Sequence, residues 1–135
     1  MKRLILLLLV LSINASAQGK DPVQISRIGS DTETIAELIK YPNTDIYYLS
    51  YRNTKYKTIV NFKSIKIGSK EDLNVFKSTM INVVKSNTIK TKNYTVMFVR
   101  VGSTVRMLVS KSNVVSYMRC LTSDQVNELF NVESD

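Results

Sequence analysis

Apolar and β-branched residues crowd positions 58–67, Gly68 breaks the run, and from Asp72 onward apolar residues recur with a helical period. Leu73, Phe76, Met80, Val83 and Val84 fall on one stripe at 3.6 residues per turn, with Asn74, Ser78, Asn82 and Lys85 opposite. Ser69-Lys70-Glu71-Asp72, just ahead of the stripe, has the Ser-x-x-acid form of a helix cap. A strand, a break and a capped helix are therefore predicted in succession. Such a helix is marginal alone, so its stripe needs a sheet to lie on. Glu71 and Asp72 then complement the helix dipole rather than forming a catalytic pair.

Upstream, residues 18–29 are polar, and Val23, Ile25 and Ile28 allow at most a short edge strand, so a flexible segment is expected. Ser30-Asp31-Thr32-Glu33 matches a capping box, with Ile35, Leu38 and Ile39 on one face before Tyr41-Pro42-Asn43, which predicts a short N-terminal helix. Residues 46–51 and 57–67 read as a hairpin around Arg52-Asn53-Thr54-Lys55, since Asn tolerates the positive φ of a tight turn. Tyr47, Leu49 and Tyr51 share one face of the first strand, and Ile46 and Tyr48 the other, which predicts a sheet covered in part on both sides. Between Phe62 and Ile65 the apolar phase slips, marking a bulge or a strand end.

Downstream, residues 87–93 read as a polar loop and 94–101 as a strand. Gly102-Ser103 suits a two-residue type II′ turn, which would pair Val101 with Thr104, Val99 with Arg106, Met97 with Leu108, Thr95 with Ser110, Phe98 with Met107, and Val96 with Val109. The Tyr94, Val96, Phe98, Val105, Met107 and Val109 face is the more apolar and is assigned to the side of Phe76 and Met80. The opposite face is mixed, half covered at most by a terminal helix. Ser112-Asn113 turns the chain into 114–121, completing a three-stranded meander; a two-residue turn there would bury Met118 and Cys120 and set Arg106 across from Arg119. Opposed like charges are unfavourable, so either the register differs or an anion or acidic side chain bridges them. Thr122-Ser123-Asp124-Gln125 caps a last short helix with Val126, Leu129 and Phe130 on one stripe. The fold class expected is α+β: an antiparallel sheet (hairpin plus three-stranded meander) packed on a central helix, with short N- and C-terminal helices and no internal repeat.

The first residues change the picture of where this domain works. Met1-Lys2-Arg3, the apolar run 4–11 and Ala15-Ser16-Ala17 have the form of a secretory signal peptide over residues 1–17, leaving a flexible 18–29 and a single domain over 30–135. A leader ending Ala-x-Ala before Gln18, in a chain rich in Lys, Asn and Ile, resembles exported proteins of Bacteroidota, over the leader alone. Export to the periplasm or medium is the expectation, with no transmembrane span after cleavage. The full chain carries 19 basic and 11 acidic residues; loss of Lys2 and Arg3 leaves a formal charge of +6. That excess favours anionic partners, among which nucleic acid is the less available outside the cytoplasm. Cys120 is the one cysteine, so an internal disulfide is excluded and it reads as a small buried residue, or else as half of an intermolecular bridge.

Chemistry is bounded mostly by what is missing. The chain has no histidine, which removes the usual general base and, with a single cysteine, ordinary zinc sites. No phosphate loop or dinucleotide fingerprint occurs, and no cofactor is expected. Ser69-Lys70 and Ser110-Lys111 are neighbours whose side chains diverge, and Ser69 is already a cap. Two groups remain as candidates: a partner-binding cluster of Tyr47, Tyr51, Arg52, Lys55, Tyr56 and Lys57 on the hairpin, and an anion site at Arg106 and Arg119. The function expected is a small, exported, non-enzymatic binding or interaction protein with a protein or anionic polymer as partner. The alternatives are a carboxylate-dependent hydrolase, which needs two carboxylates about 5–9.5 Å apart in a cleft, and a basic protein that binds anionic envelope surfaces.

Overall fold

A computed structural model describes residues 21–55 and 60–132. Its order is β1 (Val23–Gly29), β2 (Thr34–Lys40), β3 (Tyr47–Arg52), β4 (Phe62–Gly68), α1 (Lys70–Ile81), β5 (Ser86–Lys90), β6 (Thr95–Val101), β7 (Thr104–Lys111), β8 (Val114–Tyr117), β9 (Leu121–Thr122) and α2 (Ser123–Leu129). The class is α+β with strands dominant. Two antiparallel sheets form, β1-β2-β3-β4 and β5-β6-β7-β8, and β9 pairs with β7. Each half thus begins with a run of four strands and ends in a capped helix, with the short β9 added before α2 in the second, although the sequence itself carries no visible repeat.

Three segments depart from the sequence reading. The helix expected after Ser30 is β2, and the segment expected to be loose holds β1, its partner in a hairpin. The reason lies in what a Ser-x-x-Glu box specifies. The Ser30 hydroxyl does accept from the Glu33 amide at 3.1 Å, but the Ser30 amide donates to the Glu33 carbonyl at 2.8 Å, which closes a turn instead of opening a helix. Thr34, Ile35 and Ile39 are β-branched, and the strand gains ladders on both sides, to β1 and to β3. Likewise, polar residues 86–90, expected as loop, form edge strand β5 against β6, where only Ile89 is partly shielded. Finally, Val84 is 82% exposed, because α1 ends at Ile81 with Asn82 as its C-cap, and only Val83 carries the stripe on into the core.

Other local expectations match the chain. Ser69 caps α1 and exchanges bonds with Asp72, and Thr122 does the same with Gln125 at α2. Gly68 has φ of 123°, and a Cβ there would run into the Asp72 carboxylate, so the glycine lets strand and cap meet. The Gly102-Ser103 turn pairs every residue from Val101↔Thr104 to Thr95↔Ser110 as its two-residue length requires. Ser112 and Asn113 both take positive φ, giving another two-residue turn, with Lys111 opposite Val114. The hairpin β3–β4 is looser than expected: Asn53 has no positive φ, β4 starts only at Phe62, and the register irregularity lies at the Tyr47 end rather than between Phe62 and Ile65.

One core joins these parts. The inner face of the first sheet contributes Leu38, Leu49, Tyr51 and Ile65, and that of the second contributes Val96, Phe98, Val105, Met107 and Val109. Between them stand Leu73, Phe76 and Met80 of α1 and Val126, Leu129 and Phe130 at α2. Phe76 meets Phe98 edge-on at 5.1 Å between ring centroids and Phe130 at 5.6 Å, so one side chain of the first half touches a strand and the helix end of the second. In return α2 lies against β1 and β2, where the Ser26 hydroxyl donates to the Leu129 carbonyl. Each half supplies part of the cover the other half needs.

Polar brackets cross the same interface. Asn53 is 1% exposed; its side-chain oxygen accepts from the amides of Tyr117 and Lys55, both at 3.1 Å, and its amide nitrogen donates to Asn61. Tyr51 and Ser116 share a buried hydroxyl pair at 2.5 Å, and the Tyr94 hydroxyl donates to the Lys66 carbonyl at 2.5 Å. Burial pushes the Tyr51 pKa up, partly offset by the bond to Ser116; burial and the Asp72 charge push Tyr94 up.

Two outcomes follow for stability. Phe76→Ala should cost about 3–5 kcal/mol in urea unfolding, whereas Val84→Ala should stay within about 0.5 kcal/mol. Because folding raises both tyrosine pKa values above the ordinary 10.0, the stability they confer is complete below that value and is lost as pH rises through the folded values. Urea midpoints followed above pH 10 should therefore fall, and the alkaline fall should be shallower in Tyr51→Phe; an equal slope in the variant would contradict the assignment.

Candidate binding cleft between the two sheets

Tyr47 and Tyr51, proposed from sequence for the partner-binding cluster, are turned toward the core. Tyr51 is 0% and Tyr47 6% exposed, because both share the inner phase of β3 with Leu49. With apolar residues on both faces of this strand, composition alone did not say which face is buried. Of the remaining cluster, Arg52 is held by Glu33, Lys55 is exposed, and Tyr56 and Lys57 lie outside the described residues. Of the four described residues, Tyr47 and Tyr51 face the core, so the structure does not bring them to one surface with Arg52 and Lys55.

The expected opposition of Arg106 and Arg119 is also resolved differently. From Lys111↔Val114 to Leu108↔Tyr117 the register is that of a two-residue turn, but Val105 pairs with Leu121, one residue out of step. The irregularity over 118–120 carries Arg119 to Glu33, whose carboxylate accepts its guanidinium at 3.0 Å and that of Arg52 as well. Arg106 instead stacks over the Tyr117 ring, 5.3 Å from its centroid. The acidic bridge foreseen for the pair thus joins Arg119 to a different arginine. Met118 is buried as expected, while Cys120 is only half-buried.

Where the sheets part, they leave a cleft of about 380 Å³, within the size range of small-molecule sites. Its walls come from β4 (Phe62, Lys63, Ser64, Ile65) and from the β7–β8 hairpin (Val109, Lys111, Ser112, Val114, Ser116), with Tyr51 behind them. Both β4 and β8 are edge strands. Alternation decides what faces in. Ile65 is buried opposite Leu49, so Lys63, two residues back and opposite Tyr51, keeps the same inward phase. Val109 is buried opposite Ser116, so Lys111, opposite Val114, also keeps the inward phase. Each sheet therefore ends its buried row with a lysine at this cleft. Phe62 (46% exposed) and Val114 (53%) leave apolar surface at the mouth.

Sequence reading passed over this site because Lys63 and Lys111 are separated by a helix and two strands. The available signal was that both continue the alternation of a buried row, Ile65 in one case and Val109 in the other.

Carboxylates are arranged differently. Glu33 sits between two arginines, Asp72 caps α1, Glu37 accepts from Gln24 at 3.3 Å, and Asp45 lies 4.0 Å from Lys40. None of these lines the cleft. Among the described residues no group of three or more Asp, Glu or Cys is placed to hold a metal ion, and no helix is long and apolar enough to cross a membrane.

Glu33 is thus a structural brace. Glu33→Gln should lower stability by about 1 kcal/mol at low salt and by less at high salt, read from urea midpoints. An equal loss at both salt concentrations would point to packing rather than charge.

No protein-family model, curated protein or solved structure matches this chain, so its geometry is the ground for a functional reading.

Proposed function

We propose that this is an exported, non-catalytic binding protein whose inter-sheet cleft takes a small amphipathic anion. The observation that carries the reading is the pair Lys63 and Lys111, one from each sheet, on positions whose alternation faces the cleft. Both lysines are exposed, so their ammonium groups stay solvated and open to an anion. The aliphatic stems of both lysines extend the apolar walls of Phe62, Ile65, Val109 and Val114, while their charged ends can reach toward the mouth. A carboxylate, sulfonate or phosphate would sit among the lysines, with its apolar part along the walls.

A binding role is supported over hydrolysis by the carboxylates, which cap, brace or pair elsewhere and leave the cleft without an acid. The leader at residues 1–17, which lies outside the described residues, supports export.

The reading is tested by calorimetry with the chain beginning at Gln18, titrated with dodecanoate and with dodecyltrimethylammonium, which share an alkyl chain and differ in charge. Dodecanoate should bind and the cation should not. Lys63→Glu combined with Lys111→Glu should weaken dodecanoate at least about tenfold, equivalent to about 1.4 kcal/mol. Equal binding of the two amphiphiles, or an unchanged double variant, would reject the proposal.

A further inference from the structure

From Leu73 to Ser123 the chain contains eight lysines and arginines and no aspartate or glutamate. That stretch includes the whole of the second sheet, β5 to β9, whose strands carry Lys90, Arg100, Arg106 and Lys111 and no acid. Two of the eight cations are internally committed: Arg100 donates to the carbonyls of Ile81 and Val83 at 2.8 and 3.0 Å, and Arg119 binds Glu33. The other six meet no carboxylate among the described residues.

The face of this sheet turned away from the core has an unusual mixture for a solvated surface. One cross-strand row is Met97, Leu108 and Tyr117, and Val115 follows beside Ser110. Met97 is 40% exposed, and neither helix covers the row: α1 meets β6 through Phe98 on the inner face, and α2 lies against β1 and β2. Lys90 stands at the β5 edge, and Arg106 is held over the ring of Tyr117. Cations thus border an apolar strip, with no acid on any strand of the sheet.

We infer that this outer face docks the protein on an anionic lipid surface. Charge supplies the complementarity, since each cation close to such a surface is attracted to it and no carboxylate on the sheet opposes the attraction. The apolar row decides between kinds of anion. A hydrophilic polyanion gains nothing from Met97 or Leu108, whereas the boundary between headgroups and acyl chains accepts apolar side chains, and tyrosine is at home there with its hydroxyl toward water. The assignment is independent of the cleft: it uses the outward phase of β6 to β8, and the cleft uses the inward phase of β7 and β8.

Co-sedimentation tests it, using vesicles of phosphatidylcholine with and without phosphatidylglycerol and the chain beginning at Gln18, which retains the described core and lacks the apolar leader. The protein should sediment with the phosphatidylglycerol vesicles and stay in solution with phosphatidylcholine alone. Lys90→Glu combined with Arg106→Glu should weaken that binding about tenfold or more. Met97→Gln, a neutral change at an exposed position, should weaken it several-fold at physiological salt while leaving retention on dextran sulfate unaltered. Sedimentation indifferent to phosphatidylglycerol, or to the charge reversals, would overturn the inference. Binding to dextran sulfate as tight as to vesicles, with Met97→Gln silent in both, would overturn it in favour of a soluble polyanion. Dodecanoate titration of the same variants separates the two sites, because these substitutions lie outside the cleft and should leave its binding intact.

Discussion

The ring of Phe76 is where the two halves of this chain become one domain. It projects from the helix that closes the first half, lies edge-on to Phe98 in the second sheet, and touches Phe130 at the end of the last helix. Each half contains a four-stranded meander with one apolar face and a single helix, the second half adding β9 on β7. A meander of this size has more inner surface than one short helix can cover, so the two halves share both helices. The hydroxyl pair of Tyr51 and Ser116 and the bracket of Asn53 then fix the sheets relative to each other where apolar packing alone leaves sliding free. The cleft follows from the same arrangement: the sheets are joined through the helices and through Tyr51, and beyond Tyr51 their free edges, β4 and β8, are not joined to each other.

Charge is distributed along the same division. In the first half Asp72 caps α1 and Glu33 braces two arginines, and the strands of the second sheet carry no carboxylate. Lysines on inward phases at a sheet edge also discourage edge-to-edge pairing, so Lys63 protects β4 from aggregation whether or not a ligand is present. An edge that is both protected and cationic suits a site that must stay open to a small anion while refusing another strand.

The parts of this fold legible in the sequence were those set by local geometry. Gly102-Ser103 determined the pairing of β6 with β7 from Val101↔Thr104 to Thr95↔Ser110 because a two-residue turn leaves one register, and the caps at Ser69 and Thr122 placed both helices. Ser30-x-x-Glu33 misled because the same side-chain bond closes a tight turn; the β-branched Thr34 and Ile35 that follow were the sign of a strand. Residues 86–90 carry almost no apolar signal, since an exposed edge strand is held by backbone bonds to β6 rather than by burial. The site was less legible than the fold. Tyr47 and Tyr51 looked like a surface because their strand is apolar on both faces, and Lys63 and Lys111 looked like ordinary solvated lysines until the registers of β4 and β7 gave them an inward phase.

The central claim is that the space between β4 and the β7–β8 hairpin is a binding site for an amphipathic anion. The most direct measurement is a nuclear magnetic resonance titration of the chain beginning at Gln18 with dodecanoate, following backbone and methyl resonances. The result expected is a saturable set of shifts confined to Lys63, Ile65, Val109, Lys111, Val114 and Ser116, with Leu73 and Val126 in the closed core unmoved. Shifts scattered over the outer faces, or none at ligand excess, would contradict the account.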